Sequence, residues 1–164
     1  MPDVFKTIEF VNADEIARGL SPLNVESVAF QAGRIMLERL EHFIKTKQSF
    51  AFETTLSGLA YLNFIRLAKL SGFDITFFFV WLISFHLAKS RVAARVRKGG
   101  HHIPDNIIER RYRKGIKNFS KYAQEADSWY LYDNSGAEYL LIAKCIAGEK
   151  EIFNFDVFNK ISEV

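Results

Sequence analysis

The sequence predicts an α/β fold built on a mostly parallel sheet with helices on both faces, and three observations carry that reading. Short β-branched and aromatic runs alternate with stretches of helical period along the whole 164-residue chain. The helical stretches are about ten to twenty residues long, the length that crossover connections between parallel strands need. The most apolar run, Ile75 to Leu87 (ITFFFVWLISFHL), falls short of the ~20 residues that cross a bilayer and reads as a strand buried on both faces.

Taken in order, Thr7 to Asn12 (TIEFVN) is the first strand, rich in β-branched and aromatic residues. Val25 to Lys47 carries Val28, Phe30, Ile35, Leu37, Leu40 and Ile44 as an apolar stripe and is the first long helix. Ser49 to Glu53 (SFAFE) is a short second strand. Leu59 to Leu70 is a helix stopped by Ser71-Gly72, where glycine takes up a left-handed turn. Asp74 to Leu82 is the third strand, and Ser84 to Lys98 a helix ended by Gly99-Gly100. Pro104 suits the first turn of a further helix reaching about Glu125. Trp129 to Tyr132 (WYLY) is the fourth strand, Glu138 to Ala147 fits strand and helix equally, and Asn154 to Lys160 is a short terminal helix. No repeat or linker interrupts the chain, so residues 1–164 are expected to form one domain.

Composition bounds the chemistry. With 49% hydrophobic residues and 16 Phe, the chain can bury a sizeable core. The start MPDVFKTIEF lacks the basic and apolar regions of a secretory signal, and the single cysteine, Cys145, lies in an apolar run; both fit a reducing cytoplasmic setting. Charge is uneven: residues 91–117 hold nine Lys or Arg against Asp105 and Glu109, a local +7 in a chain of +3, so the remainder carries −4. Nucleic acid, a membrane surface and nucleotide phosphates are the three anionic partners to separate.

In a parallel α/β sheet, ligands sit beyond the carboxyl ends of the strands. Three such ends are polar: Asn12, Asp14 and Glu15; Glu53, Thr54 and Thr55; and Asp133, Asn134 and Ser135. Asp14 can meet a substrate hydroxyl or magnesium, or simply cap the turn EIARGL. Glu53 ends an apolar strand; if that strand is central, the carboxylate is too deep to be idle, and its plainer roles are to cap the next segment or pair with a lid arginine.

The basic segment reads plainly as a solvated helix face, but its spacing favours more. Arg91 and Arg95 share a face of one helix; Arg110, Arg113, Lys114 and Lys117 share a face of the next, with Arg111 about 100° away. Joined by KGGHHIP, they form a hairpin, the lid at about 84–125, able to close over phosphates. His101 and His102 are adjacent, point apart and lack partners at zinc spacing, so no metal site is expected and they read as hinge or capping residues, with a phosphate contact as the lesser alternative. A nucleic-acid-binding module would explain the +7 but not the acids at the strand ends, and exposed aromatics are not interleaved with the basic residues.

FVNADEIARGLSP (10–22), FAFETTLSG (50–58), SRVAARVRKGGHHIPDNIIERRYRKGIKNF (90–119) and WYLYDNS (129–135) together resemble the zeta-toxin-like family of P-loop kinases. The resemblance implies a P-loop NTPase-like sheet with a basic helical lid, using ATP and Mg2+ to phosphorylate a small-molecule hydroxyl such as that of a UDP-amino sugar. It makes Asp14 the base at the acceptor hydroxyl and Glu53 a residue positioning acceptor or magnesium. Arg95 and Arg111 become catalytic lid arginines. Arg91 and Arg110 are the other members of each pair on the phosphates, and which member of each pair makes contact is open. Asn12, Glu15, Thr54 and Thr55 fall on the acceptor side, and Asn134 near the adenine. The partners implied are a nucleotide and a small-molecule substrate, with an antitoxin chain or self-association left open and neither nucleic acid nor membrane expected.

One feature of the family is missing. No G-x-x-x-x-G-K-S/T occurs in the 164 residues: Gly99-Gly100 has no following Lys-Ser or Lys-Thr, and KTKQS has no glycine. In the family that loop and its central strand precede the segment matching residues 7–15, so the chain is expected to begin after them, to be marginally stable, and to be inactive. A non-catalytic descendant binding nucleotide or protein is the alternative reading.

Overall fold

The computed structural model describes residues 9–100 and 102–162. The order is β1 (Glu9–Val11), α1 (Ala13–Leu20), a 3-10 turn (Val25–Val28), α2 (Ala29–Thr46), β2 (Phe50–Phe52), α3 (Ala60–Leu70), β3 (Thr76–Trp81), α4 (Phe85–Arg97), α5 (Asp105–Glu125), β4 (Ser128–Asp133), β5 (Leu140–Ile146), β6 (Glu149–Ile152) and α6 (Phe155–Ser162). Thr7 and Ile8 of the expected first strand, and His101, lie outside the described residues. No described helix is long and apolar enough to cross a membrane. The chain divides into two compact units, Met1–Thr54 and Thr55–Val164.

In the first unit β1 and β2 pair in parallel, Glu9 opposite Phe50 and Val11 opposite Phe52, with the helices forming the crossover. The helix expected from Val25 starts as a 3-10 turn, because the Asn24 Oδ1 accepts from the Ser27 amide at 3.4 Å and holds the chain in a tighter first turn. From Ala29 the chain is α-helical. It buries Ala32, Met36, Leu40, Phe43 and Ile44, a stripe at three- and four-residue spacing, and the Phe43 ring stacks on Phe50 at 5.5 Å.

In the second unit four strands lie in the order β3-β4-β5-β6. β3 and β4, joined by the α4–α5 hairpin, pair in parallel; β4, β5 and β6 are antiparallel. Glu138 to Ala147, ambiguous in the sequence, therefore contributes a strand. Its hairpin to β6 turns on Ala147 (φ 51°) and Gly148 (φ 87°), two positive φ values that match the twist of the flanking strands. One face of this sheet, carrying Phe77, Phe79, Trp129 and Leu131, is covered by α5 and α6. Phe119 of α5 lies 5.2 Å from Phe79 and edge-on to Trp129 at 5.6 Å, and Trp129 stacks on Phe158 of α6 at 6.2 Å. On the opposite face Phe78 stacks on Tyr130 at 5.0 Å.

Helix limits follow local chemistry. Ser84 caps α4 by accepting from the Leu87 amide at 3.2 Å. α4 stops where the amides of Lys98 and Gly100 both reach the Arg95 carbonyl, with Gly99 at φ 90°. Pro104 precedes α5 as its flanking residue, its carbonyl accepting from Ile107 and Ile108.

Candidate functional site

Asn12 organises the polar end of the first unit. Its backbone is extended (φ −134°, ψ 120°), and its Oδ1 accepts from the amides of Asp14 at 2.8 Å and Glu15 at 3.4 Å, so Asn12 is the cap of α1. This corrects the capping role offered for Asp14. Asp14 is instead a half-buried member of the first turn, where the helix N-terminus favours a carboxylate. The Asn12 Nδ2 donates to the Glu53 Oε2 at 3.0 Å, tying the start of α1 to the end of β2. Glu53 is exposed, which corrects the expectation of depth: β2 belongs to a two-stranded sheet, and its end is open to water. Its carboxylate neither caps the next segment nor meets an arginine in the first unit; its partner is the Asn12 amide. Glu15 is exposed and pairs with Arg18 at 3.2 Å. Thr54, half-buried, closes the unit.

In the second unit the carboxyl ends of β3 and β4 are knitted together. The Asn134 amide donates to the Trp81 carbonyl at 2.9 Å, and the Ile83 amide to the Ser135 hydroxyl at 2.8 Å. That hydroxyl in turn donates to the Asp133 carboxylate. Arg91 reaches the same end, donating to the Gly136 carbonyl at 3.4 Å. Thus Arg91 and Asn134 lie at the same end of the sheet, each bonded to a backbone carbonyl there. The Tyr112 hydroxyl donates to the Leu82 carbonyl at 2.8 Å, anchoring α5 beside β3, and burial raises its pKa.

The arginines of the lid differ in setting. α4 and α5 lean on one another, with Lys89 and Asp105 ion-paired across them. Arg113 is spent on Glu109 in a forked contact at 2.8 and 2.9 Å. Arg95 and Arg110 are exposed and Arg111 is half-buried; none of these three has a carboxylate partner among the described residues. His102 is exposed, and no group of three or more His, Cys, Asp or Glu able to hold a metal occurs among the described residues.

Sequence reasoning missed how the turn after Thr54 is held. Leu56 is buried in a left-handed conformation (φ 53°), its side chain clustered with Leu62, Ile65 and Tyr122. The buried Asn118 of α5 donates to the Leu56 carbonyl at 2.7 Å, and the Tyr122 hydroxyl to the Gly58 carbonyl at 2.7 Å. A Cβ at Gly115 would stand 3.0 Å from the Thr55 carbonyl. Within the turn, the hydroxyls of Thr55 and Ser57 are 2.9 Å apart. The available signal was Gly115 itself, since a glycine inside a helix costs about 1 kcal/mol against alanine and needs a packing reason.

A mixed α/β fold, parallel strands joined by helical crossovers and polar strand ends define an α/β class of protein whose ligands are met at strand ends. Comparison with known families makes this specific: the zeta toxin family model matches residues 1–142, and the chain belongs to that family. Membership points to a kinase-like P-loop NTPase. A protein of Haemophilus influenzae (strain ATCC 51907 / DSM 11121 / KW20 / Rd), described as uncharacterized, is 30% identical over 102 residues, which cover 62% of this chain and 73% of that one. No solved structure matches.

Proposed function

We propose that the chain carries the acceptor- and phosphate-binding parts of an ATP-dependent phosphotransferase acting on a small-molecule hydroxyl, with a UDP-amino sugar as acceptor, and that these 164 residues bind without turning over. The observation that supports this best is the Asn12–Glu53 bond, which gathers Asn12, Asp14 and Glu53 at the carboxyl ends of two paired parallel strands. In this reading Asp14 is the group that holds the acceptor proton, Glu53 and Thr54 orient the acceptor, and Arg95 and Arg111 answer phosphate charge.

The residues present do not make a complete site for ATP and magnesium. The phosphate loop, its lysine and its hydroxyl are absent from the sequence, and no three-acid cluster replaces them among the described residues. No transfer step is assigned to the chain. Positioning and charge stabilisation supply nearly all the catalysis of phosphoryl transfer, so the missing cradle is disabling. Incubating the purified chain with radiolabelled ATP and UDP-N-acetylglucosamine should give no labelled sugar, while calorimetry should detect UDP-N-acetylglucosamine binding in roughly the micromolar to millimolar range. Phosphorylated product would overturn the inactivity, and no binding at millimolar ligand would overturn the acceptor reading.

A further inference from the structure

We infer that Gly100 is a positioning residue for Arg95: by placing no side chain where the chain turns back over the end of α4, it sets the course of the Arg95 stem and so restricts where the guanidinium can meet a polyphosphate. The inference rests on the phosphate-binding part of the reading above and adds to it a residue that carries no charge. Arg95 is exposed and has no carboxylate partner among the described residues. Arg91, one turn earlier on the same helix face, already donates to the Gly136 carbonyl at 3.4 Å.

Past Arg97 the chain doubles back. The Lys98 and Gly100 amides both donate to the Arg95 carbonyl at 3.0 Å, and Gly99, at φ 90°, makes the reversal. That reversal lays Gly100 against Arg95 itself. A Cβ at Gly100 would stand 2.7 Å from the Arg95 Cγ, 3.0 Å from its carbonyl oxygen and 3.2 Å from its carbonyl carbon. Carbon atoms pack at about 3.5 to 4.0 Å, so a methyl there overlaps the stem near its root, where only a change of rotamer or an opened turn relieves it. Gly99 differs. A Cβ on it would meet nothing within 4 Å, and glycine is required there by backbone conformation alone. Gly100 has no positive φ, so what excludes a side chain at that position is Arg95. An arginine stem that is free in water loses rotamer freedom when its guanidinium meets an anion; a stem already confined by backbone loses less and binds more tightly. The planar fork of the guanidinium then suits the paired oxygens of a phosphate.

The test is a mutant cycle on the full chain, with inorganic tripolyphosphate as probe, calorimetry for affinity and thermal melts for folding. Gly99 is exposed and Gly100 half-buried, both outside the core, so their variants fold. Arg95→Ala should weaken binding about tenfold, the loss of one charge-assisted contact. Gly100→Ala leaves the net charge unchanged and should still weaken binding about fivefold. In an Arg95→Ala background, where the Cγ that the methyl meets is gone, Gly100→Ala should change affinity less than about twofold. Gly99→Ala strains the same turn without touching Arg95; it should lower the melting temperature and keep affinity within about twofold of wild type. A basic patch acting through net charge alone would register neither glycine change, and a turn needed only for folding would register both alike. Wild-type affinity in Gly100→Ala, equal losses in Gly99→Ala and Gly100→Ala, or losses of Gly100→Ala and Arg95→Ala that simply add would overturn the positioning role while Arg95 keeps its contact. No tripolyphosphate binding by the wild-type chain, or binding unchanged in Arg95→Ala, would overturn the phosphate role of Arg95 and this inference with it, leaving the acceptor reading to its own test with UDP-N-acetylglucosamine.

Discussion

Asn12 does two jobs with one amide, because Oδ1 accepts from the first turn of α1 while Nδ2 donates to Glu53. Asn12→Ala removes both and should cost about 1 to 2 kcal/mol, read from chemical denaturation. Asn12→Asp keeps the acceptor but sets a carboxylate against Glu53. It should be less stable than wild type at pH 7 and recover towards pH 4 as one acid takes up a proton. An Asn12→Asp chain as stable as wild type at pH 7 would show that the Glu53 contact carries no weight. Asp127 offers the opposite pH dependence. The Ile75 amide at 2.8 Å and then Lys69 at 2.9 Å hold its carboxyl below the ordinary value of 3.8. Its contribution is complete above about pH 4 and fades as pH falls through the lowered value. Because the pair is partly exposed, the gain is no more than about 1 kcal/mol. Asp127→Asn should lower the melting temperature at pH 7, with the gap to wild type closing near pH 2; a constant gap would remove the charge from the explanation.

The two edges of the four-stranded sheet are unlike. β6 reads EKEI, with charges that discourage further pairing, whereas β3 reads TFFFVW and pairs with β4 alone among the described residues. Helix α5 is two-sided. Its 21 residues bury Phe119 and Tyr122 on one side and carry Arg110, Arg113 and Lys114 exposed on the other, so one element serves core and charge at once.

Across the whole chain, the charge of residues 91–117 is answered only in part. Lys89–Asp105 and Arg113–Glu109 use the two acids of that segment, and Arg91 takes a backbone carbonyl, which leaves the exposed ends of Arg95, Arg97 and Arg110 for an anion. Duplex DNA should bind weakly, with affinity falling steeply between about 50 and 200 mM salt as for any basic patch. Submicromolar affinity at physiological salt would restore the nucleic-acid reading.

The alternation of strands and helices, the parallel pairing of β1 with β2 and of β3 with β4, and the limits of α3, α4 and α5 were legible in the sequence, whereas the antiparallel run β4-β5-β6 departs from the mostly parallel sheet expected. Period, glycine stops and the fixed φ of proline are local properties that need no partner. The sequence also contained the polar residues at the strand ends. Only the tertiary structure decided that Glu138 to Ala147 is a strand, since its pattern suits either state and the choice rests on pairing with β4. The same holds for the cap of α1. Asn12 and Asp14 are both good caps by type, and the extended backbone at Asn12, steadied by Glu53 forty-one residues away, settles which one serves. The left-handed Leu56 was illegible for the same reason. Nothing in TTLSG asks a leucine for positive φ; the demand comes from Asn118 and Tyr122, more than sixty residues on, and from burial of the side chain beside them. Local propensity is written in neighbouring residues, whereas a strained turn is stabilised by groups that meet it only once the chain has folded.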